Sequence, residues 1–335
     1  MHGSVDFAMY WKALTTPGGT EGAGLTLTVE TEQRPGLVIE YGGGGRTRIQ
    51  SDAGPALWAR AEAYYEGVWL VRRDAPYELA VVPPIKAAEA RSIETAEGWM
   101  KWFARGLGNS DKSPLRPGVW QLTELRQEKP DSAHQARDEV TDVFLPVDPD
   151  GLPAPAYGLR RSVSLPRAHY ESWGINGSGG VFPLRSPSDV DAARVKAWRK
   201  HAREGTLPPI LLWWVGAFDL HLVIDGHDRL LASTAEGTQP RAITLWQPSE
   251  DPIEVPARWR EELVRNYEAA FKSEDRLSER SREELNRSLV NGLRRWRRSG
   301  TTARARPDMG EQWIEEVRAE LESEPELADR VCGDL

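Results

Sequence analysis

The chain comprises 335 residues and 37.5 kDa, more than one hydrophobic core ordinarily serves, so two or three compact units are expected. With 39% hydrophobic and 28% charged residues it reads as a soluble globular protein, which excludes collagen-like, fibrous and disordered classes. The formal charge of −8, from 43 basic and 51 acidic side chains, provides no overall field for DNA or an anionic membrane, so any such contact must rest on a local patch.

No apolar run approaches the roughly 18 residues of a bilayer-spanning helix. The first twelve residues lack the basic flank and apolar stretch of a secretory signal. A cytoplasmic protein without membrane contact is the expectation. Cys332 is the only cysteine, which leaves no internal disulfide framework and no thiolate cluster for a metal.

Residues 25–31, 37–41 and 47–50 alternate apolar and polar side chains, and the breaks between them fall at Arg34-Pro35-Gly36 and Gly42 to Gly45. They read as three strands of an antiparallel meander. Residues 55–65 carry helical spacing through Leu57, Trp58, Ala61, Tyr64 and Tyr65; 68–71 and 77–82 read as short strands. Residues 87–107 read as one helix with Trp99, Trp102 and Phe103 on its apolar side, stopped near Gly106 and Gly108. A weakly structured stretch follows at 128–136. The four glycines before Arg46 and Arg48 invite a phosphate-loop reading, but no Lys-Ser or Lys-Thr pair follows and no helix starts there, so a hairpin loop is expected. The proline-rich stretch 148–155 marks a domain boundary.

Beyond it, 162–165 reads as a strand, 168–173 as a helical turn and 174–180 as a glycine-rich loop. Residues 187–204 read as a helix capped by Ser186, opened by Pro187, with Asp189 and Asp191 in its first turns and Gly205 as its stop. Strands at 209–215 and 220–224, a helix at 230–235 and a strand at 242–246 follow. The remainder reads as helical: 258–272 through Trp259, Leu263 and Tyr267; 281–298 through Leu285, Leu289 and Leu293, with Ser281 and Glu284 as a capping box; 309–321 through Trp313 and Val317. The fold class is therefore α+β. An antiparallel-sheet N-terminal unit (1–150) precedes a central α/β unit (156–250) and a helical C-terminal region (251–335).

Chemistry concentrates in residues 205–232, GTLPPILLWWVGAFDLHLVIDGHDRLLA, where an apolar strand delivers Asp225, Gly226, His227, Asp228 and Arg229 onto a helix start. Gly226 admits close backbone approach, and Arg229 offers a planar fork matching two phosphate oxygens. His227 can donate to a phosphate or accept a proton near neutrality. The helix N-terminus adds free N–H groups and a favourable dipole. Asp225 can hold His227 and Arg229 in place or meet a metal carried by the ligand. The bland alternative is a common Asp-Gly turn followed by a solvated helix start.

The order of helix, Gly205, Pro209-Ile210 strand, apolar strand, Asp-Gly-His-x-Arg and an Ala232-containing helix resembles the ParB/sulfiredoxin-like superfamily over residues 160–246, under a third of the chain. The resemblance implies a nucleotide site, with ATP, ADP or CTP held through Gly226, His227 and Arg229, together with Mg2+. It implies catalysis through Asp225 and His227, with Glu171 as the base for an accepting hydroxyl. Two departures bear on this. Gly226 stands where sulfinic-acid reductases carry cysteine, which argues against that reaction, and Asp228 stands where the common form has a second histidine, which weakens catalysis more than fold.

The expected function is nucleotide-dependent phosphotransfer to a small molecule or peptide, or nucleotide hydrolysis. The alternative is a non-enzymatic nucleotide-sensing or protein- or nucleic-acid-binding module. Arg294, Arg295, Arg297 and Arg298 around Trp296 form a basic patch suited to a nucleic-acid backbone, with a solvated helix end as its plainer reading. No short turn of the helix-turn-helix kind follows the motif. His134, His169 and His201 show no metal spacing, and His221 reads as packing.

Overall fold

A computed structural model describes residues 9–15, 21–30, 35–62, 67–74, 80–85, 87–125, 145–146, 167–172, 180–186, 188–248, 257–273, 282, 286, 289, 296–297 and 299–333. Two sheets carry the architecture. The larger runs β1 (Met9–Thr15), β2 (Glu21–Val29), β7 (Gly118–Glu124), β13 (Ala242–Pro248), β11 (Ile210–Val215), β12 (Leu220–Asp225), β10 (Gly180–Pro183), with β15 (Ser299–Gly300) paired to the end of β13. Its pairs are antiparallel except β10 with β12 and β11 with β13. The second runs β16 (Arg304–Ala305), β3 (Leu37–Tyr41), β4 (Arg46–Ser51), β5 (Gly54–Ala61), β6 (Gly67–Arg72), β9 (Ala168–Ser172), antiparallel but for β16 with β3. A separate short pair joins β8 (Leu145–Pro146) to β14 (Trp296–Arg297).

The described helices are α1 (Ala87–Ser92), α2 (Ala96–Gly108), α3 (Ala193–Arg203), α4 (His227–Ala235), α5 (Ala257–Ser273), α6 (Met309–Glu320) and α7 (Pro325–Cys332). Helices and mixed sheets together make the fold α+β. Leu25, Leu27, Leu122, Trp213, Leu222 and Leu245 of the larger sheet share one core with Leu37, Ile49, Leu57 and Leu70 of the smaller, and Met100 and Phe103 of α2 enter it too. The opposite face of the smaller sheet, through Trp58, Trp69 and Val71, packs on Met309, Trp313, Val317 and Val331 of α6 and α7. The outer face of the larger sheet receives Leu230 of α4 on Ile210, Leu212 and Val223. Burial on both faces explains why β11 is an uninterrupted apolar run rather than an alternating one.

Several expectations change. Over its described part the segment expected as a helix at 55–65 is a strand, with 63–65 outside the described residues: β5 occupies Gly54–Ala61 with a period of two, so that Leu57 and Ala59 face the inter-sheet core, while Trp58 and Arg60 face the C-terminal helices. The apparent helical spacing arose because both faces of that strand carry large apolar groups. Likewise 168–173 contains strand β9, which pairs with β6. The first meander is split: β3 and β4 pair as expected, whereas β2 pairs with β1 and β7 in the other sheet. The helix at 87–107 breaks in two, because the Thr95 side chain accepts the Gly98 N–H (3.0 Å) and so starts α2 afresh.

The helix expected from 187 begins at Ala193, and Asp189 instead accepts the Asp191 N–H (2.7 Å) in a turn ahead of it. Of the helix expected over 281–298, residues 282, 286 and 289 are helical, Trp296–Arg297 form β14, and the remainder lies outside the described residues. The readings at 128–136, 148–155 and 162–165, and those at 77–79 and 174–179, lie outside the described residues, and 80–82 form no strand. The chain divisions at 150 and 250 are crossed by both sheets, since β7 pairs with β13, β6 with β9, and β3 with β16. Among the described residues no helix is long and apolar enough to cross a membrane.

Candidate functional site

The Asp225–Arg229 turn is built by conformational necessity at Gly226. That residue has φ 90°, a left-handed conformation, and a side chain there would come within 2.8 Å of Arg229 Nη2 and 2.9 Å of Ile210 Cγ2. Glycine is thus required by the backbone conformation, and Arg229, folding back over it, and Ile210 leave little room for a side chain. The chain leaves β12 at Asp225, bends at Gly226 and enters α4 at His227, with the first helical bond running from the Leu230 N–H to Gly226 O (2.8 Å). Because the N-cap is glycine, the cap residue supplies no side-chain acceptor to the first N–H groups of α4.

Three of the turn's side chains are almost wholly buried: His227 is 2% exposed, Asp228 3% and Arg229 5%. His227 Nε2 accepts the Arg185 backbone N–H (3.3 Å). Burial holds its pKa well below the usual histidine value, the charges of Arg185, Arg72 and Arg229 push it the same way, and a hydrogen bond with the Val223 backbone opposes them. The imidazole is therefore neutral, and its Nε2 is an acceptor rather than a donor to phosphate.

Asp228 anchors the segment ahead of α3. Its Oδ1 accepts the Ser188 N–H (3.0 Å) and lies 3.8 Å from Arg185 Nη2, while Oδ2 lies 3.3 Å from Arg194 Nε. The unexpected second carboxylate of the motif thus has a structural explanation. Arg229 pairs through Nη2 with Asp225 Oδ2 and lies 5.9 Å from the centre of the Trp198 ring, but its Nε is buried without a hydrogen-bond partner. Arg185 and Arg194 approach Asp228, Arg229 pairs with Asp225, and the charge of Arg72 bears on His227, so four guanidiniums against two carboxylates leave the turn locally cationic in an acidic protein.

Glu171 is not brought to this turn. It lies on β9, its Oε2 2.7 Å from His169 Nε2, and it packs against Gly180, where an added Cβ would sit 2.9 Å from its carboxyl carbon. Gly180 pairs with Leu220 at the start of β12, whereas Asp225 ends that strand. Five residues of strand, about 16 Å, separate the two ends. The expected base for a group bound at the turn is therefore misplaced, and Glu171 instead forms a dyad with His169, whose ring stacks on Phe182 (centroids 6.4 Å apart). The spacing of two between His169 and Glu171 signals a shared strand face, a signal hidden while that segment reads as a helical turn.

The sequence did not point to Arg72, Arg185 or Arg194. Arg185 and Arg194 flank the start of α3, but Arg72 arrives from another sheet, and no local pattern announces it. A Mg2+ carried by a nucleotide would have to share Asp225 with Arg229, and among the described residues no group of three or more His, Cys, Asp or Glu side chains is placed to hold a metal ion. In the basic patch, Arg297 lies in the backbone of β14 rather than at a helix end, and Arg294, Arg295 and Arg298 lie outside the described residues. Protein-family models, curated proteins and solved structures give no match to this chain.

Proposed function

We propose that the Asp225–Arg229 turn is the phosphate seat of a ParB/sulfiredoxin-like nucleotide-binding module, and that the module binds rather than turns over its nucleotide. One observation carries the reading: the glycine-capped start of α4 is framed by Arg185, Arg194 and Arg229, with Arg229 Nε buried and without a partner. Backbone N–H groups, the helix dipole and guanidinium forks then act on one anion. Binding is favoured over phosphotransfer because the neutral His227 accepts a backbone N–H and Glu171 sits at the other end of the strand pair.

The test is calorimetric titration of the full chain with ATP, ADP and CTP, with and without Mg2+, beside an assay for released phosphate. Saturable binding without product is the expected result. At a hundred-fold excess over the dissociation constant, such a ligand stabilises the fold by about 2.7 kcal/mol, visible as a raised melting temperature. Absence of binding by all three nucleotides refutes the seat, and product formation in proportion to protein replaces the sensing reading with the enzymatic one.

A further inference from the structure

Each of the three guanidiniums that frame the start of α4 already faces a carboxylate of the chain itself. Arg229 pairs with Asp225, and Asp228 meets the other two: its Oδ2 lies 3.3 Å from Arg194 Nε and its Oδ1 3.8 Å from Arg185 Nη2. The Asp228 side chain is 4% exposed, so water screens its charge little. Its place in the first turn of α4 also offsets the dipole that draws an anion to a helix start. The contacts of this carboxylate differ in kind. Oδ1 accepts the Ser188 N–H at 3.0 Å, a bond that an amide oxygen accepts as well. The guanidinium contacts are looser, and the one to Arg185 is beyond hydrogen-bond distance. Arg194 is 61% exposed, which leaves its side chain room to swing, and Arg185 has a second hold through Nη1 on Ser186 O (3.0 Å). The backbone bond is therefore the structural tie, and the guanidiniums are the exchangeable partners.

We propose that Asp228 is an internal competitor at the nucleotide seat, holding Arg185 and Arg194 until an incoming phosphate takes them over. The inference rests on the reading of the turn as a phosphate seat, and it assigns to Asp228 the regulation of that seat. A tethered group competes at an effective concentration on the order of millimolar or above, with no need to diffuse. The seat is then competent only while its guanidiniums are free, and apparent affinity falls by that fraction. A phosphate that enters also lies near the Asp228 charge in a poorly hydrated turn, and repulsion acts in the same direction. The exchange makes and breaks no covalent bond; it needs a rotation of the Arg194 side chain. The protein thereby answers to nucleotide at higher concentrations than the bare seat would.

The test is calorimetric titration of the full chain with ATP, ADP and CTP, with and without the substitution Asp228→Asn. Asparagine keeps an oxygen for the Ser188 N–H and removes the charge, so nucleotide affinity is expected to rise at least about ten-fold. Asp191→Asn is the control. That carboxylate is 77% exposed and lies 3.2 Å from Lys196 Nζ, and the same loss of one charge there is expected to change affinity less than about two-fold. The gain from Asp228→Asn is expected to shrink in an Arg194→Ala background, because the contested guanidinium is gone; a general effect of net charge would not couple in this way. Asp228→Ser discards the charge with a smaller side chain and replaces the asparagine variant if that one does not fold; failure of both to fold makes the charge part of the scaffold and overturns the proposal. Absence of binding of all three nucleotides, with and without Asp228→Asn, refutes the seat itself. Binding that Asp228→Asn leaves unchanged or weakens, or that Asp191→Asn tightens as much, overturns the competitor role and leaves the seat standing.

Discussion

Replacing Gly226 by alanine separates a glycine that shapes the fold from one that merely makes room for a ligand. The backbone at φ 90° costs a residue with a Cβ about 1–2 kcal/mol. The added methyl also meets Arg229 at 2.8–2.9 Å and Ile210 at 2.9 Å, so Arg229 must leave its pairing with Asp225 or β11 must shift. Overpacking of that kind adds about 1–3 kcal/mol. Gly226→Ala is therefore expected to destabilise the ligand-free protein by about 2–5 kcal/mol, measured as a fall in the urea midpoint at constant slope. In an Arg229→Ala background the clash with the guanidinium is gone, and the same substitution is expected to cost about 1–2 kcal/mol less. That coupling is what a double-mutant cycle reports. An unchanged midpoint in Gly226→Ala would falsify the account of the turn, and an equal cost in both backgrounds would show that Arg229 does not fold over Gly226.

Acid lability is expected from the buried histidines. Burial takes the His221 pKa down to about 3 and holds that of His227 well below the ordinary value, so both are neutral in the fold and become protonated on unfolding below about pH 6.5. Stability is then complete above that pH and falls toward pH 3 by up to about 1.4 kcal/mol per unit for each histidine. His221→Phe is expected to flatten the urea midpoint between pH 6 and pH 4.5, and an unaltered pH profile refutes this assignment; neither His221 ring nitrogen has a hydrogen-bond partner for the substitution to break. Glu316 of α6 bonds Arg48 (2.6 Å) and Trp58 Nε1 (2.7 Å) across the sheet, so Glu316→Ala is expected to cost about 2–3 kcal/mol and to speed proteolysis within α6 and α7; unchanged proteolysis would show that those helices are held without it. Trp313→Ala, which empties a fully buried site and frees Thr47 O, is expected to cost about 3–5 kcal/mol in the same urea assay, and a loss under 1 kcal/mol refutes the packing of α6 on β4.

The central strands were legible because their signals are local. Residues 209–215 and 220–224 are apolar on both faces, Gly205 and Asp225-Gly226 punctuate them, and β11, β12 and α4 follow within a residue or three. What stayed hidden depends on partners distant in sequence. β5 looks helical because Leu57 and Trp58 serve two cores, one shared with the larger sheet and one with α6, and only the second sheet face explains their adjacency. The assembly of β7 beside β13, over a hundred residues apart, has no one-dimensional trace. The same holds at the turn: Asp225 and Arg229 could be read from their spacing, but the partner of His227 is the backbone of Arg185, and Arg72 reaches it from the other sheet.

These ties decide how the nucleotide proposal must be tested. His227 and Arg229 were the residues that the motif singled out, yet each is embedded in the fold. Arg229→Ala breaks the Asp225 pair and opens space under Trp198, and His227→Ala leaves the Arg185 N–H without its acceptor, so a loss of binding in either variant would not distinguish site from scaffold. Arg194 does distinguish them. Its side chain is 61% exposed and reaches only the edge of Asp228, so Arg194→Ala is expected to move the urea midpoint by less than about 0.5 kcal/mol. If an anion sits at the start of α4, the same substitution removes one charge-assisted contact and weakens nucleotide binding about ten-fold, with a shallower salt dependence. Nucleotide affinity indifferent to Arg194, in a protein that still folds, places the anion elsewhere and leaves the turn as a buried tie between α4 and the segment leading into α3.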